Sequence, residues 1–395
     1  MHKRPQHTAH LRGSAQLATD AVIGLTDLVE AMHSRIATLP VLGSPACDER
    51  TRGITGLVYR SVRGATRRVG DRAQALLGWL DDRLAADHAS RAAPLARPER
   101  EALRAALNGV LGDHLAASGN PLAIEMCFRV AGQSLPRERD ALRERLPDAG
   151  PRPLILLHGL CMNDLQWQRA GHDHGLALAR DAGFTPVYLH YNSGLPIAVN
   201  GHLLAQQLEQ LQAVWPVPIT GLTLLGHSMG GLVARSALHQ AASGELGALR
   251  WPTQVSDLIC LGSPHLGAPL ETAGHIVTSL LSVAPYAAPL ARLALLRSAG
   301  IKDLRKGDRT PLPTGPRCYA VAANLKPANA ASATHLLGDG LVSVASALGQ
   351  HRQAARRLQF PAAQQAVVHS TSHLGLLSST TVYAHLIGWL RPLQD

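Results

Sequence analysis

A short run around Ser228 combines the residue types and the spacing of a serine nucleophile. Residues 226–230 read Gly-His-Ser-Met-Gly, after the apolar stretch 222–225 and before the helix-like stretch 231–241. A strand, a Gly-x-Ser-x-Gly turn and a helix in this order form a sharp turn, because the glycines remove side chains where strand and helix pass closest. We therefore predict that Ser228 projects alone from the turn and acts as a nucleophile when a histidine accepts its proton.

Two backbone N–H groups are expected to bind the negative oxygen that forms when such a serine attacks a carbonyl carbon. The first belongs to Met229, which follows the nucleophile at the start of the helix. The second is assigned to Leu160, because the sequence His-Gly-Leu at 158–160 follows the apolar run 153–157 upstream of the serine. His158 is expected to order this turn rather than to take part in the reaction.

An acidic partner is expected after the serine in chain order, in a loop that follows a strand. Asp339 meets this description, since residues 338–342 read Gly-Asp-Gly-Leu-Val and come after the apolar run 318–322. Loops on a rigid scaffold commonly carry catalytic side chains. Three other aspartates stay open as alternatives: Asp257, Asp303 and Asp308.

Two histidines in the segment 367–376 could accept the proton of Ser228. His369 comes at the end of the apolar pair Val-Val at 367–368, and His373 lies four positions further along. Because His373 lies further into the loop beyond the strand, we predict that it is the base. His369 is the alternative.

One short segment, 172–174, has the residue types of a metal ligand set. His172 and His174 flank Asp173 there, and we predict a surface loop. No further ligand occurs at metal-binding spacing, so we predict no metal site. The chemistry expected of Ser228 needs no cofactor, and none is predicted.

Apolar runs of buried-strand type alternate with helical stretches from residue 122 onward. The predicted strands cover 122–130, 153–157, 186–190, 222–225, 258–261 and 318–322, and the predicted helices cover 203–214, 231–241 and 383–390. Such alternation predicts an α/β fold, with a mostly parallel sheet and helices on both of its faces.

The residues before this region have helical spacing. Apolar side chains recur every three or four positions within 14–39, within 54–84 and from Pro98 to Leu115, and the sequence Gly-Asn-Pro at 119–121 ends the last helix. A chain of 395 residues also exceeds the usual size of one domain. We therefore predict a helical N-terminal module over 1–118 and a catalytic domain over 119–395.

Basic residues suggest what the chain could contact. Arginines at 60, 63, 67 and 68 lie off the apolar stripe of the 54–84 helix. A basic amphipathic helix can lie on an anionic membrane, so peripheral membrane contact is one expectation, and a solvated helix face is the alternative. The net charge of +10 also suits anionic partners, but no motif that reads nucleic acid is present. We expect no nucleic-acid partner.

Five scattered cysteines bear on the compartment. An odd number without paired spacing favours reduced thiols and a cytoplasmic location. The first residues lack the apolar core of a secretory signal, so no cleavable signal peptide is expected. Nothing in the sequence indicates an oligomeric state.

Motifs at 158–160, 226–231, 262–269, 339–342 and 373–376 follow one another in this order along the chain. Together they resemble those of bacterial lipases and esterases related to the PGAP1-like hydrolases and of triacylglycerol lipases. The resemblance implies an α/β-hydrolase fold and hydrolysis of carboxylic esters through an acyl-enzyme, with Asp339 orienting His373 and His373 activating Ser228. It also implies that the 262–269 loop borders the active site. There His265 and Leu266 are expected to contact substrate, and a structural role for His265 stays open.

An insertion between two predicted strands is unusually apolar. Residues 276–296 are rich in Leu, Val and Ile. A lid over 270–310 that shields an apolar acyl pocket would explain this composition, and a plain core helix explains it equally well. A membrane span is not expected, because the stretch 272–291 contains His275, Pro285 and Pro289.

The leading hypothesis is a carboxylic-ester hydrolase, an esterase or lipase that acts on apolar acyl or lipid-like esters. A thioesterase, an acyltransferase or a polyester depolymerase could use the same three side chains. A hypothesis of another class is a non-catalytic protein of the same fold that binds a membrane or a partner. The intact set of Ser228, Asp339 and His373 argues against it.

Overall fold

The computed structural model describes residues 98–267, 298–328 and 338–391 continuously, together with 12–17, 19–20, 23, 60, 63–64, 66–68 and 71. The chain divides into two compact units. The larger comprises Ala96–His114 and Ile124–Asp395, and it contains the whole sheet. The smaller comprises Leu115–Ala123 and the residues before position 96.

Eight strands form one sheet in the order β2-β1-β4-β3-β5-β6-β7-β8. They are β1 (Cys127–Val130), β2 (Gln133–Ser134), β3 (Pro153–Leu157), β4 (Thr185–His190), β5 (Leu222–His227), β6 (Val255–Leu261), β7 (Arg317–Asn324) and β8 (Gln365–His369). All pairs from β4 to β8 are parallel, and β1 runs antiparallel to both β2 and β4. The prediction of a mostly parallel α/β sheet is confirmed.

The described helices connect or follow these strands. They are α1 (Pro98–Ala117), α2 (Arg139–Arg145), α3 (His174–Ala182), α4 (Ile197–Val214), α5 (Met229–Ser243), α6 (Ala299–Lys306), α7 (Val344–Ala347) and α8 (Thr380–Leu390), with short 3-10 turns such as Asp164–Trp167. Most predicted elements in the sheet region therefore exist, with ends that shift by a few residues. Hydrogen bonds at the ends, which an apolar pattern does not encode, set these limits.

The core lies on both faces of the sheet. Every residue of β3 is buried, and Leu154 and Leu156 belong to a cluster that includes residues of α3 and α8. The alternating residues Ile155 and Leu157 are equally buried and point to the opposite face. A strand buried on both faces reads as a continuous apolar run, which is why the sequence predicts β3 so directly.

The predicted strand over 122–130 is wrong in its first half. Only Cys127–Val130 forms a strand. The N–H of Leu122 donates to the Asn120 side chain, and the N–H of Ile124 donates to the Asn108 side chain, each at 2.9 Å. Asparagine side chains thus satisfy backbone groups that a strand would pair with a neighbouring strand.

The expected surface loop around Asp173 is also wrong. Asp173 is the N-cap of α3, with its Oδ1 accepting from the N–H of Leu176, and the hydroxyl of Tyr188 donates to the same oxygen at 2.8 Å. His174 is fully buried, and its Nε2 lies 2.8 Å from the Leu376 carbonyl oxygen. An aspartate before an apolar run is typical of a helix start, because its side chain accepts from a backbone N–H of the first turn.

Several sequence predictions fall largely outside the described residues. These are the helices over 14–39 and 54–84 and the lid over 270–310, of which 298–310 are described and include α6. The third predicted helix exists as α1, and its residues up to His114 group with the sheet. The domain boundary at 118/119 stays a prediction. Among the helices that are described, none has the length and apolar character needed to cross a bilayer.

Candidate active site

Ser228 sits in a sharp turn between β5 and α5. Its backbone angles are φ 54° and ψ −120°, a region that residues other than glycine rarely adopt. Its N–H donates to the Leu261 carbonyl at 2.8 Å. A Cβ at Gly226 would lie 2.3 Å from the nitrogen of Gly231, and one at Gly230 would lie 2.2 Å from the Leu157 carbonyl oxygen. Only glycine fits both positions, so the backbone itself forces Ser228 out of the turn.

Asp339 and His373 form a buried pair. Asp339 Oδ2 lies 2.7 Å from His373 Nδ1, and each residue is 3% exposed. Asp339 Oδ1 accepts from the N–H groups of Leu341 and Val342 at 2.9 and 2.7 Å. The carboxylate is thereby fixed on one side and paired on the other. Since Nδ1 donates to the carboxylate, Nε2 of the neutral imidazole is left as the proton acceptor.

His227 connects the serine turn to this pair. Its Nε2 lies 3.0 Å from the His373 carbonyl oxygen, and the two rings are 4.7 Å apart between centroids. Burial holds the pKa of His227 well below its usual value, so the ring is neutral and Nε2 donates to the carbonyl. A Cβ at Gly262 would lie 3.2 Å from both Asp339 Oδ2 and His373 Nδ1, which places the end of β6 against the pair.

The serine hydroxyl itself makes no hydrogen bond to His373 among the described residues. Ser228 is placed near the Asp339–His373 pair through the backbone. The N–H of Ser228 donates to the Leu261 carbonyl, and the next residue, Gly262, contacts the pair. Hydrogen bonds to a catalytic base are often loose without substrate and tighten in the complex.

The turn at 158–160 packs against Ser228. A Cβ at Gly159 would lie 3.1 Å from the Cβ of Ser228. The N–H groups of Leu160 and Met229 have no hydrogen-bond acceptor within the described parts of the chain. His158 Nδ1 lies 2.8 Å from the Gly159 carbonyl oxygen, and burial lowers the pKa of His158 to about 3. A neutral histidine therefore orders this turn, and the assignment of the two N–H groups to an oxyanion stays a prediction.

The alternative acids and the alternative base all have other partners. The Arg317 guanidinium contacts Asp257 at 2.8 Å, the Ile197 N–H donates to Asp303 at 3.0 Å, and the Thr310 hydroxyl donates to Asp308 at 2.7 Å. His369 is exposed, with Nδ1 3.3 Å from the Lys326 carbonyl oxygen. None of these contacts leads to Ser228.

The two residues predicted to bind substrate, His265 and Leu266, contact different parts of the protein. His265 is 1% exposed, and its Nδ1 accepts from the Arg235 guanidinium at 2.7 Å while its ring lies 5.4 Å from that of Phe360. The N–H of the half-buried Leu266 donates to the Ser346 hydroxyl at 3.2 Å. These contacts favour a structural role for His265, and substrate contact by both residues stays a prediction.

Sequence reasoning missed a buried charged cluster near the 158–160 turn. His190 Nδ1 lies 3.1 Å from Asp164, and Arg129 lies 3.3 Å from Asp164 and 2.8 Å from Glu101. Burial alone would raise the pKa of Asp164, but His190 and Arg129 lower it below its usual value. The members come from α1, β1, β4 and a 3-10 turn, so no local spacing in the sequence points to them.

Comparison with known proteins adds a family model and related folds. Residues 148–290 match the model of the PGAP1-like alpha/beta domain, in agreement with the resemblance of the motifs. The match includes Leu160 and Ser228 and ends before Asp339 and His373. No curated protein matches the sequence.

Several solved lipases are similar in structure. The mature form of lipase BlEst2 from Bacillus licheniformis is 19% identical, with 61% of this chain and 92% of that chain covered and a TM-score of 0.42. Lipase B of Aspergillus fumigatus is 16% identical, with 67% and 56% covered and a TM-score of 0.38. The Staphylococcus hyicus lipase is 13% identical, with 61% and 95% covered and a TM-score of 0.36.

Proposed function

We propose that this α/β-hydrolase, which carries a PGAP1-like alpha/beta domain, is a serine esterase or lipase that cleaves carboxylic esters through an acyl-enzyme. The observation that carries the proposal is the buried pair of Asp339 Oδ2 and His373 Nδ1, 2.7 Å apart, against the backbone that holds Ser228. A nucleophile, a base and an acid in this relation are what acyl transfer needs.

In the proposed reaction, Ser228 Oγ attacks the ester carbonyl carbon while His373 Nε2 accepts the hydroxyl proton. The carbonyl oxygen becomes negative and binds the N–H groups of Leu160 and Met229. Asp339 stabilises the imidazolium and keeps its tautomer. His373 then gives the proton to the leaving alcohol as the C–O bond breaks. Water repeats the sequence on the acyl-enzyme and releases the acid.

The proposed substrates are apolar acyl or lipid-like esters. The support is compositional, because residues 276–296 are rich in aliphatic side chains and follow the 262–269 loop in the chain. Thioesters and polyesters pass through the same tetrahedral intermediate, and an alcohol can replace water as the acyl acceptor. A substrate panel must therefore include all of these.

The test combines a covalent probe with this panel. A fluorophosphonate should label the wild-type chain at Ser228, and p-nitrophenyl esters graded from short to long acyl chains should be hydrolysed, with thioesters turned over more slowly. Ser228→Ala should lose both labelling and turnover. Ser370→Ala is the matched control, because Ser370 also has a positive φ of 53° and is exposed. Labelling elsewhere, or turnover by Ser228→Ala, would overturn the proposal.

We also propose that the basic N-terminal helix contacts anionic membranes and so brings the enzyme to lipid-like esters. Of the four arginines, Arg60, Arg67 and Arg68 are helical and exposed, whereas Arg63 is helical and buried, so the proposed contact rests on the first three. A basic helix face gains roughly 1 kcal/mol per cation near an anionic surface. Flotation with liposomes that contain anionic lipid, against liposomes of neutral lipid only, tests this contact. Binding that survives deletion of 50–90 would overturn it.

A further inference from the structure

Helix α1 makes an unusually close contact with the turn that carries Leu160. A Cβ at Gly109 would lie 2.2 Å from Cys161 Sγ and 2.8 and 2.9 Å from the Cα and nitrogen of Cys161. These distances are shorter than any real Cβ contact, so the helix backbone and the turn backbone touch directly. The position accepts no side chain unless the turn or the helix moves.

Cys161 is held in a strained backbone conformation by this contact and by one hydrogen bond. Its φ is 60°, which costs free energy for a residue with a side chain and persists only where the surroundings impose it. The N–H of Cys161 donates to the Ser193 hydroxyl at 3.0 Å, and both residues are buried. This N–H belongs to the peptide unit that directly follows Leu160, so Ser193 fixes the orientation of that unit.

The same helix also holds the segment that contains Ser193. Asn192 Nδ2 donates to the Gly112 carbonyl at 2.8 Å, and Asn192 Oδ1 accepts from the Gly194 N–H at 3.0 Å. A Cβ at Gly112 would lie 1.9 Å from Asn192 Oδ1, and one at Gly194 would lie 2.1 Å from the Asn108 carbonyl oxygen. The helix and the 192–194 segment therefore pack this closely only because Gly112 on the helix and Gly194 on the segment have no side chain.

A third part of the molecule is attached to this helix. The Ser298 hydroxyl donates to the Gly109 carbonyl at 2.7 Å, and the N–H of Ala299 donates to Asp113 Oδ2 at 2.9 Å. One helix thus contacts the 158–161 turn, the 192–194 segment and the start of α6. All three contacts lie within the larger compact unit.

We infer that helix α1, which precedes the region matched by the family model, positions the Leu160 N–H for catalysis. Gly109 acts through Cys161 directly, and Gly112 acts through Asn192 and Ser193. These are positioning residues, since none of them touches the reacting atoms. The inference rests on the proposed function, because it assigns Leu160 as a donor to the negative oxygen. A donor that is displaced by an ångström stabilises that oxygen far less.

Gly109→Ala is the first test, with Gly388→Ala as its matched control. Both glycines lie inside helices, but a Cβ at Gly388 meets nothing within 4 Å. We expect Gly109→Ala to lower kcat about ten- to a hundredfold, with KM changed less than threefold. Gly388→Ala should keep wild-type kcat and KM. Rates are expressed per active site, titrated with the fluorophosphonate.

Ser193→Ala is the second test, in case the added methyl group at 109 prevents folding. It removes only the acceptor of the Cys161 N–H, and we expect kcat to fall about tenfold. Both variants should bind an alkyl trifluoromethyl ketone more weakly by the same factor as kcat falls. Ser228 adds to the ketone carbonyl, its proton passes to His373, and the new oxyanion occupies the same two N–H donors.

The outcomes separate a positioning role from a structural one. Lower kcat per labelled site together with weaker ketone binding supports the inference. A smaller labelled fraction with unchanged kcat per site would mean that α1 only supports folding, and it would overturn the inference. So would wild-type kcat in Ser193→Ala. A wild-type chain that neither hydrolyses esters nor binds the ketone would instead overturn the proposed function, and the inference with it.

Discussion

His373 and His190 each place Nδ1 against a buried aspartate, 2.7 Å from Asp339 and 3.1 Å from Asp164. Their surroundings differ. Asp339 is otherwise bound by backbone N–H groups, whereas Asp164 also contacts the Arg129 guanidinium at 3.3 Å. One pair therefore lies among neutral donors, and the other is part of a cluster of formal charges.

The proposed general base is the pair at His373, and the surroundings of the pair at His190 do not suit that role. Burial lowers the pKa of His190, and Arg129 opposes its protonation further, although Asp164 favours it. Its Nε2 lies 3.8 Å from Glu101 and faces a carboxylate rather than a hydroxyl group. The pair at His373 instead adjoins the backbone of Ser228. The neighbours of the pair, and not the pair itself, decide its chemistry.

Between the two histidine–aspartate pairs, the largest expected effect is that of Asp339→Asn. An amide at this position can favour the wrong imidazole tautomer, so kcat should fall about 10⁴-fold. Ester hydrolysis per folded molecule measures it, with circular dichroism to verify the fold. A loss of less than tenfold would mean that Asp339 does not act on His373 as proposed.

Asp164→Asn should have the opposite profile. Asp164→Asn removes one of the two carboxylates that Arg129 contacts and leaves Glu101 as the other, so unfolding should become easier by about 2 kcal/mol. Because the ion pairs of the cluster join Glu101, Arg129, Asp164 and His190 to one another and not to Ser228 or His373, kcat should stay within tenfold of the wild type. Urea unfolding and ester hydrolysis measure the two quantities. If Asp164→Asn were as inactive as Asp339→Asn, the conclusion that only the His373–Asp339 pair takes part in the reaction would be wrong.

Acid should affect the stability of the whole molecule through its buried histidines. Burial lowers the pKa of His158 to about 3 and of His174 to about 4, and it also lowers the pKa of His190. The unfolded chain takes up these protons near pH 6.5, and the folded chain does so only at lower pH. Stability should therefore fall as the pH drops below about 6.5, by roughly 1.4 kcal/mol per pH unit for each such histidine.

Urea unfolding at pH 7 and pH 5 tests this expectation, with His174→Gln as the informative variant. Its slope between the two pH values should be smaller than that of the wild type, because one linked proton is removed. Equal stability of the wild type at both values would contradict the assignment of these histidines as neutral.

The smallest expected effect is that of His369→Ala. The side chain is exposed and contacts only the Lys326 carbonyl among the described hydrogen bonds. We expect kcat and KM within threefold of the wild type. A loss close to that of Asp339→Asn would make His369 the base and His373 a structural residue.

The parts of the fold that the sequence predicts well are those that depend on local patterns. Residues 153–157 read as a buried strand because both faces of β3 are covered, and the turn at Ser228 follows from glycine spacing. Chain order and a glycine-flanked loop predicted Asp339, and the position beyond the strand predicted His373. The family resemblance implied that the two act together, and the structure has them 2.7 Å apart.

The rest depends on contacts between distant parts of the chain. The cluster of Asp164 and His190 draws on α1 and β1, and the contact of Gly109 with Cys161 leaves no pattern except a glycine inside a helix. A glycine inside a helix lowers the stability of the helix by about 1 kcal/mol relative to alanine. Its presence at position 109 is therefore the signal in the sequence that another part of the chain packs closely there. The sequence does not say which surface approaches.

The hydrogen bond between His227 and His373 joins residues that are 146 positions apart in the chain. Contacts of such length form slowly, because the loop entropy must be lost before the contact stabilises anything, and parallel sheets share this handicap. The nucleophile turn between β5 and α5 can form from neighbouring residues alone. On dilution from denaturant, the helical circular dichroism signal should therefore return before hydrolysis does. The delay between the two would measure how long β7 and β8 take to pair with the strands that have already formed.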